Sequence, residues 1–210
     1  MIIDAHHHLL NTPGYLETLV AECRRLGIVK VCLFGGGRFS ADFGLAGDEQ
    51  VLAAGQAYPD LILPFTCFDL GVQSPERINA IGAHLGNPWY EEAAMALRWN
   101  QNLYADLSGS TMKCKPPEFL GGLLWWTPTT RYRDPLGRHA WEKIVFGSDV
   151  PAAEIEDVLN DYKRTMAALN LAQELQSKVL HGTMARILWL NGCSGDEQGA
   201  VAKTKRRDEI

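Results

Sequence analysis

The sequence predicts an α/β fold in which parallel strands alternate with covering helices. Runs such as Val29–Phe34 (VKVCLF), Leu61–Phe68 (LILPFTCF) and Ile144–Gly147 (IVFG) are apolar almost throughout, as strands covered on both faces are. Stretches of helical periodicity separate them, and the order strand, helix, strand, helix, strand points to βαβ units. The chain has 210 residues, of which 46% are hydrophobic and 21% charged. That suffices for one substantial core, assigned to residues 1–192, and argues against global disorder.

Each element follows from a local pattern. Residues 2–5 (Ile-Ile-Asp-Ala) open the first strand and run into His6, His7 and His8. Tyr15, Leu16, Leu19, Val20, Cys23 and Leu26 recur at helical spacing, and Gly27 stands where a helix is commonly closed by glycine, so a helix spans 15–26. Val29–Phe34 is the second strand, stopped by Gly35, Gly36 and Gly37. These glycines lack the Gly-Lys-Ser/Thr continuation of a phosphate loop and read as a turn. A second helix covers about 47–57, ahead of Tyr58-Pro59-Asp60, and Leu61–Phe68 is the third strand, with Pro64 an awkward interior residue.

The rhythm resumes with a strand at 78–83, a helix at 89–98 and strands at 103–107 and 144–147. A long helix follows, because Ile155, Val158, Leu159, Tyr162, Met166 and Leu169 share one face, and shorter helical pieces lie at 171–180 and 183–190. This makes six strands. Residues 193–210 are polar and charged and read as a flexible tail, in which the cluster from Lys203 to Arg207 is a solvated terminus rather than a binding tag.

Composition excludes several functions. A net charge of −5 disfavours a dedicated nucleic-acid binder. No apolar run is long enough to span a membrane, and the N-terminus lacks the basic and apolar regions of a secretory signal. Five scattered cysteines with no CxxC fit reduced, packed thiols rather than disulfides or a zinc knuckle. A cytoplasmic location is the resulting expectation. Trp125 and Trp126, with Leu123 and Leu124, are read as core or interface.

The chemistry-bearing residues fall where predicted strands end. Side chains alternate along a strand, so His6 and His8 point one way and His7 the other, with the two imidazoles close enough to converge on one cation. Asp149 lies directly beyond IVFG, and His84 ends the strand at 78–83 before the Leu85-Gly86-Asn87-Pro88 turn. Ligands bind at the C-terminal ends of strands in α/β sheets. His6, His8 and Asp149 fill the three protein positions of a hydrolytic zinc site, which keeps one position for water. A carboxylate at the mouth takes a water proton and returns it to a leaving group. That leaves His84 to polarise or protonate the substrate, or to act as a further ligand.

Four ordered segments, DAHHH at 4–8, AHLGNPW at 83–89, YADLSGS at 104–110 and FGSDVP at 146–151, resemble the amidohydrolase-related family. The likeness is to the branch that includes the aminocarboxymuconate-semialdehyde decarboxylase-like proteins. The resemblance implies a distorted (β/α)8 barrel with one divalent metal, usually zinc, in its mouth. On the same basis His6 and His8 match the first-strand ligands. His84 matches the sixth-strand histidine that acts at the metal or on substrate, and Asp149 the eighth-strand aspartate, both ligand and proton acceptor. The expected activity is hydrolysis of a small carbonyl-containing substrate by a metal-activated water.

The chain is short for such a barrel. Only residues 69–77 separate the third strand from the next, fewer than a parallel crossover needs. The family's fourth and fifth strands are therefore expected to be missing, with their helices and the fifth-strand histidine ligand. His139 and His181 are read as structural or exposed. The expectation is an incomplete TIM-like barrel of about six parallel strands with helices outside. Its unpaired edges invite a homodimer, and it should hold metal more weakly. Three rivals stand beside the hydrolase: a metal-dependent decarboxylase, a catalytically impaired family member, and a TatD-like or PHP-like phosphoesterase. The last is disfavoured by the acidic composition.

Overall fold

A computed structural model describes residues 1–36, 43–65, 79–129 and 137–188. Strand β1 (Ile2–His8) leads into helix α1 (Tyr15–Leu26), β2 (Ile28–Phe34), α2 (Asp48–Ala57) and β3 (Ile62–Phe65). Then come β4 (Ala80–Gly82), α3 (Tyr90–Trp99), β5 (Leu103–Asp106), α4 (Ser110–Cys114), α5 (Pro117–Leu123) and β6 (Ile144–Val145). Helices α6 (Ile155–Ala168), α7 (Gln173–Ser177) and α8 (Thr183–Ile187) follow, with a π turn at Lys178–Gly182 between the last two. Helix α1 has the expected bounds. Gly27 closes it with φ 72°, its N–H returning to the carbonyls of Arg24 and Cys23. Helices α4 and α5 went unforeseen. Each is short and carries little apolar periodicity of its own, and α5 opens on Pro117, placed where a proline's missing N–H costs nothing.

The six strands among the described residues are all parallel. They form two three-stranded sheets, β1–β2–β3 and β4–β5–β6. A seam of main-chain bonds joins them: Ala5 N–H donates to the Phe146 carbonyl at 2.9 Å, and the Ser148 and Asp149 N–H groups both donate to His6 O at 3.1 and 2.9 Å. The strand order is thus β3–β2–β1–β6–β5–β4, and among the described residues the barrel does not close. β3 and β4 are the outermost strands, and among the described residues no strand pairs with their outer edges. The segment 69–77, where the missing strands were expected, and the tail 193–210 lie outside the described residues. Cys23 and Cys32 are buried free thiols and Cys114 an exposed one. No helix among the described residues is long and apolar enough to cross a membrane.

A β-bulge positions the histidines. Asp4 pairs with Val31 and His7 with Leu33, so Ala5 and His6 together oppose the single residue Cys32. Such an insertion re-aims the side chains beyond it. Ile3 and Ala5 pack with Cys32, Val145 and the α8 residues Met184 and Ala185 in a small inner cluster that also touches Phe34 and Phe65. Beyond the bulge, His6 and His8 turn to that same side, where both rings meet Phe34. A larger cluster lies between the other side of the sheet and the helices, drawing Leu19, Val20 and Cys23 from α1 and Ile155, Leu159, Tyr162 and Met166 from α6. Trp126 is buried in it while Trp125 is exposed.

Tyr162 ties α6 to the sheet. Its buried hydroxyl accepts from the Leu107 N–H at 2.7 Å and donates to the Val145 carbonyl at 3.3 Å. Tyr162→Phe strands the Leu107 N–H away from water, so urea unfolding should show a loss of about 1–3 kcal/mol. An unchanged midpoint would mean the hydroxyl contributes nothing there.

Candidate metal centre

The structure brings His6, His8, His84 and Asp149 together. His6 and His8 end β1, His84 follows β4 in a short 3-10 turn, and Asp149 follows β6. The Nε2 atoms of His6 and His8 lie 3.2 Å apart. Asp149 Oδ1 is 3.8 Å from His6 Nε2 and 3.9 Å from His8 Nε2, and Oδ2 is 3.4 Å from His84 Nε2. Donor atoms of His6, His84 and Asp149 all lie within 4.8 Å of one another. His139 instead caps the turn at Ala140–Lys143, where its Nδ1 accepts from the Trp141 N–H, and His181 sits in the π turn.

These separations fit a small cation. Zinc bonds of about 2.0–2.1 Å at tetrahedral angles set neighbouring donors about 3.3 Å apart. The two imidazole nitrogens of β1 already stand at that spacing, and the carboxylate oxygens lie within half an ångström or so of it. The donor set of imidazole and carboxylate is one that zinc accepts.

Charge is arranged to suit. Burial works against a proton on His6, but the Asp106 carboxylate, hydrogen-bonded to Nδ1 at 3.0 Å and helped by Asp149 and Asp4, holds its pKa above the usual value. Surroundings that favour a positive charge there also favour a metal cation. Burial and the neighbouring His6 lower His8, which keeps a neutral ring with a lone pair to offer. His7 points the other way, as expected. It is fully buried, with Nδ1 2.8 Å from Ser148 Oγ and Nε2 2.9 Å from the Tyr15 hydroxyl. Burial, with the charges of His8 and His6, pulls its pKa down to about 3, so it is a neutral structural residue. Asp4 accepts the His6 and Ser148 N–H groups, and burial pushes its carboxyl up to about 6.

The main chain is strained at the same places. His84, Leu85 and Asp149 have φ of 56°, 49° and 44°. That is the left-handed region, which costs ordinary residues about 1–2 kcal/mol each. The seam enforces it at Asp149, whose N–H shares the His6 carbonyl with Ser148. Two glycines permit the close packing: a Cβ on Gly109 would stand 2.7 Å from His84 Nδ1, and one on Gly147 would stand 2.9 Å from Asp106 Cβ and 3.0 Å from His6 Cβ.

A cavity of about 520 Å³ opens beside the cluster. His8, His84 and Asp149 line it, and Leu10, Phe43, Leu45, Val150 and Pro151 form much of its wall. Sequence reasoning missed Asp106 and Ser108 as members of the site. Their signal was present in YADLSGS, because Asp106 ends β5 as Asp149 follows β6.

Among the described residues, six parallel strands gather imidazoles and a carboxylate at their ends, a donor set suited to a divalent metal. The model of the amidohydrolase family matches residues 3–190, and the chain belongs to that family. Two solved structures share the fold. An uncharacterized TIM-barrel protein from Bordetella bronchiseptica aligns with a TM-score of 0.59 and 14% identity, covering 90% of this chain and 98% of that one. An amidohydrolase from Burkholderia multivorans with bound zinc aligns with a TM-score of 0.50 and 11% identity, covering 89% of this chain and 98% of the other. No curated protein matches the chain.

Gly147→Ala forces a methyl group between Asp106 and His6. Overpacking of this kind costs about 1–3 kcal/mol, and the substitution should also weaken binding of an added divalent metal. Retention of both stability and metal would show that the Asp106–His6 spacing has slack.

Proposed function

We propose that the chain is a metal-dependent hydrolase of a small carbonyl-containing substrate, with His6, His8 and Asp149 holding one divalent cation, zinc. The observation that carries this reading is the convergence of Asp149 on three imidazoles, at 3.4 to 3.9 Å, from three separate strand ends. A bound divalent cation supplies Lewis acidity and lowers the pKa of water towards about 7, so that a nucleophile exists at neutral pH.

The chain's own residues do the rest. Asp149 is partly exposed and faces the cavity, so its carboxylate can take the proton of the attacking water and return it to the leaving group. His84, next to the other carboxylate oxygen of Asp149, hydrogen-bonds the substrate through Nε2 or serves as a fourth ligand. The apolar wall of Leu10, Leu45, Val150 and Pro151 supports an uncharged substrate that buries a hydrocarbon portion, rather than the carboxylate-bearing one a decarboxylase requires.

Metal analysis of the purified chain and of His6→Ala tests the site. The expected result is about one zinc in the wild type and a large loss in the variant. Equal content in both would remove His6 from the site. Product analysis on a panel of esters, lactones and amides then separates the reactions: hydrolysis adds water across the scissile bond, whereas release of carbon dioxide from a carboxylated substrate would establish a lyase.

A further inference from the structure

We infer that Asp106 is the positioning residue of the centre, setting His6 through its own carboxylate and His84 through Ser108. The inference rests on the metal-site reading above. Asp106 ends β5 and is 1% exposed. Its Oδ2 lies 3.0 Å from His6 Nδ1, and its Oδ1 takes the His84 N–H at 3.0 Å, the Ser108 N–H at 2.9 Å and the Ser108 hydroxyl at 2.5 Å. One carboxylate therefore touches both arms of the cluster, which arrive from different sheets.

Proton accounting turns these contacts into orientations. An ionised carboxylate only accepts, so each partner donates to it. His6 Nδ1 carries a hydrogen, and a neutral His6 then leaves Nε2 bare. Ser108 has a single hydroxyl proton and spends it on Asp106. Its oxygen, 3.0 Å from His84 Nδ1, must accept there, so His84 Nδ1 also carries a hydrogen and its Nε2 is bare. Both bare nitrogens face Asp149, itself an acceptor, at 3.8 and 3.4 Å. These lone pairs can receive a cation, and that of His6 can also receive a hydrogen from His8 Nε2, 3.2 Å away. Hydrogen bonds to the far nitrogen fix the tautomer of metal-binding histidines in this way.

Asp106→Asn separates this role from simple packing. The amide oxygen can keep the backbone contacts of His84 and Ser108, but its NH2 then faces His6 Nδ1 and obliges that nitrogen to accept. The readouts are imidazole ¹⁵N shifts of metal-free protein at alkaline pH and zinc affinity by competition with a chromophoric chelator. Wild type should show Nδ1–H for both His6 and His84. Asp106→Asn should switch His6 to Nε2–H and weaken zinc about 10–100-fold. Ser108→Ala should release the tautomer of His84 alone. A folded Asp106→Asn protein with His6 still Nδ1–H and zinc affinity within about twofold of wild type would overturn the inference. If that variant fails to fold, an unchanged His84 pattern in Ser108→Ala overturns it. A wild type with both predicted tautomers but no zinc would sink the metal reading and leave the positioning role intact.

Discussion

The seam between β1 and the stretch after β6 governs this molecule. Its acceptor is largely one carbonyl, that of His6, which receives N–H groups from both Ser148 and Asp149. Sharing one oxygen between consecutive amides bends the chain into the left-handed conformation seen at Asp149, and the bend returns the carboxylate over the two histidines of β1. Asp4 reinforces the junction from beneath by accepting the N–H groups of His6 and Ser148. The contacts that join the two sheets are thus the contacts that place the charged groups. Each of these amides finds an acceptor within the junction, as buried backbone groups require.

That construction has a thermodynamic corollary. Donors from β1 belong to one sheet, and Asp149 and His84 belong to the other. A cation bridging them would staple the halves, and its binding free energy would count towards folding. Imidazole nitrogens from both sheets stand within 4 Å of the one Asp149 carboxylate. Holding them there takes a closely packed frame, of which the close approaches at Gly109 and Gly147 are part.

Much of this was legible in the residues. The apolar strands, the helix at Tyr15–Leu26 and the strand-end positions of His6, His8, His84 and Asp149 follow from periodicity and punctuation alone. Other features were hidden for physical reasons. The bulge at Ala5–His6 depends on register against β2 and leaves no mark in composition. Helices α4 and α5 are stabilised by what they pack against rather than by their own pattern. Asp106 looked like an ordinary strand residue, because a buried carboxylate is identified by its partners, and these come from residues 6, 84 and 108.

Pro64 is the remaining oddity of the sequence, and its place in the sheet explains it. It occupies β3, an outermost strand, and its ring fills the space left by Gly55 of α2. The Leu61 carbonyl faces β2, where it accepts the Val31 N–H, so alternation turns the main-chain groups of Ile62 and Pro64 outward. Ile62 has already given its N–H to Tyr58, and proline has none. A visiting strand would meet oxygens there and nothing to donate back. Among the described residues of β3 the outward edge therefore offers acceptors without donors, which disfavours pairing with another strand there.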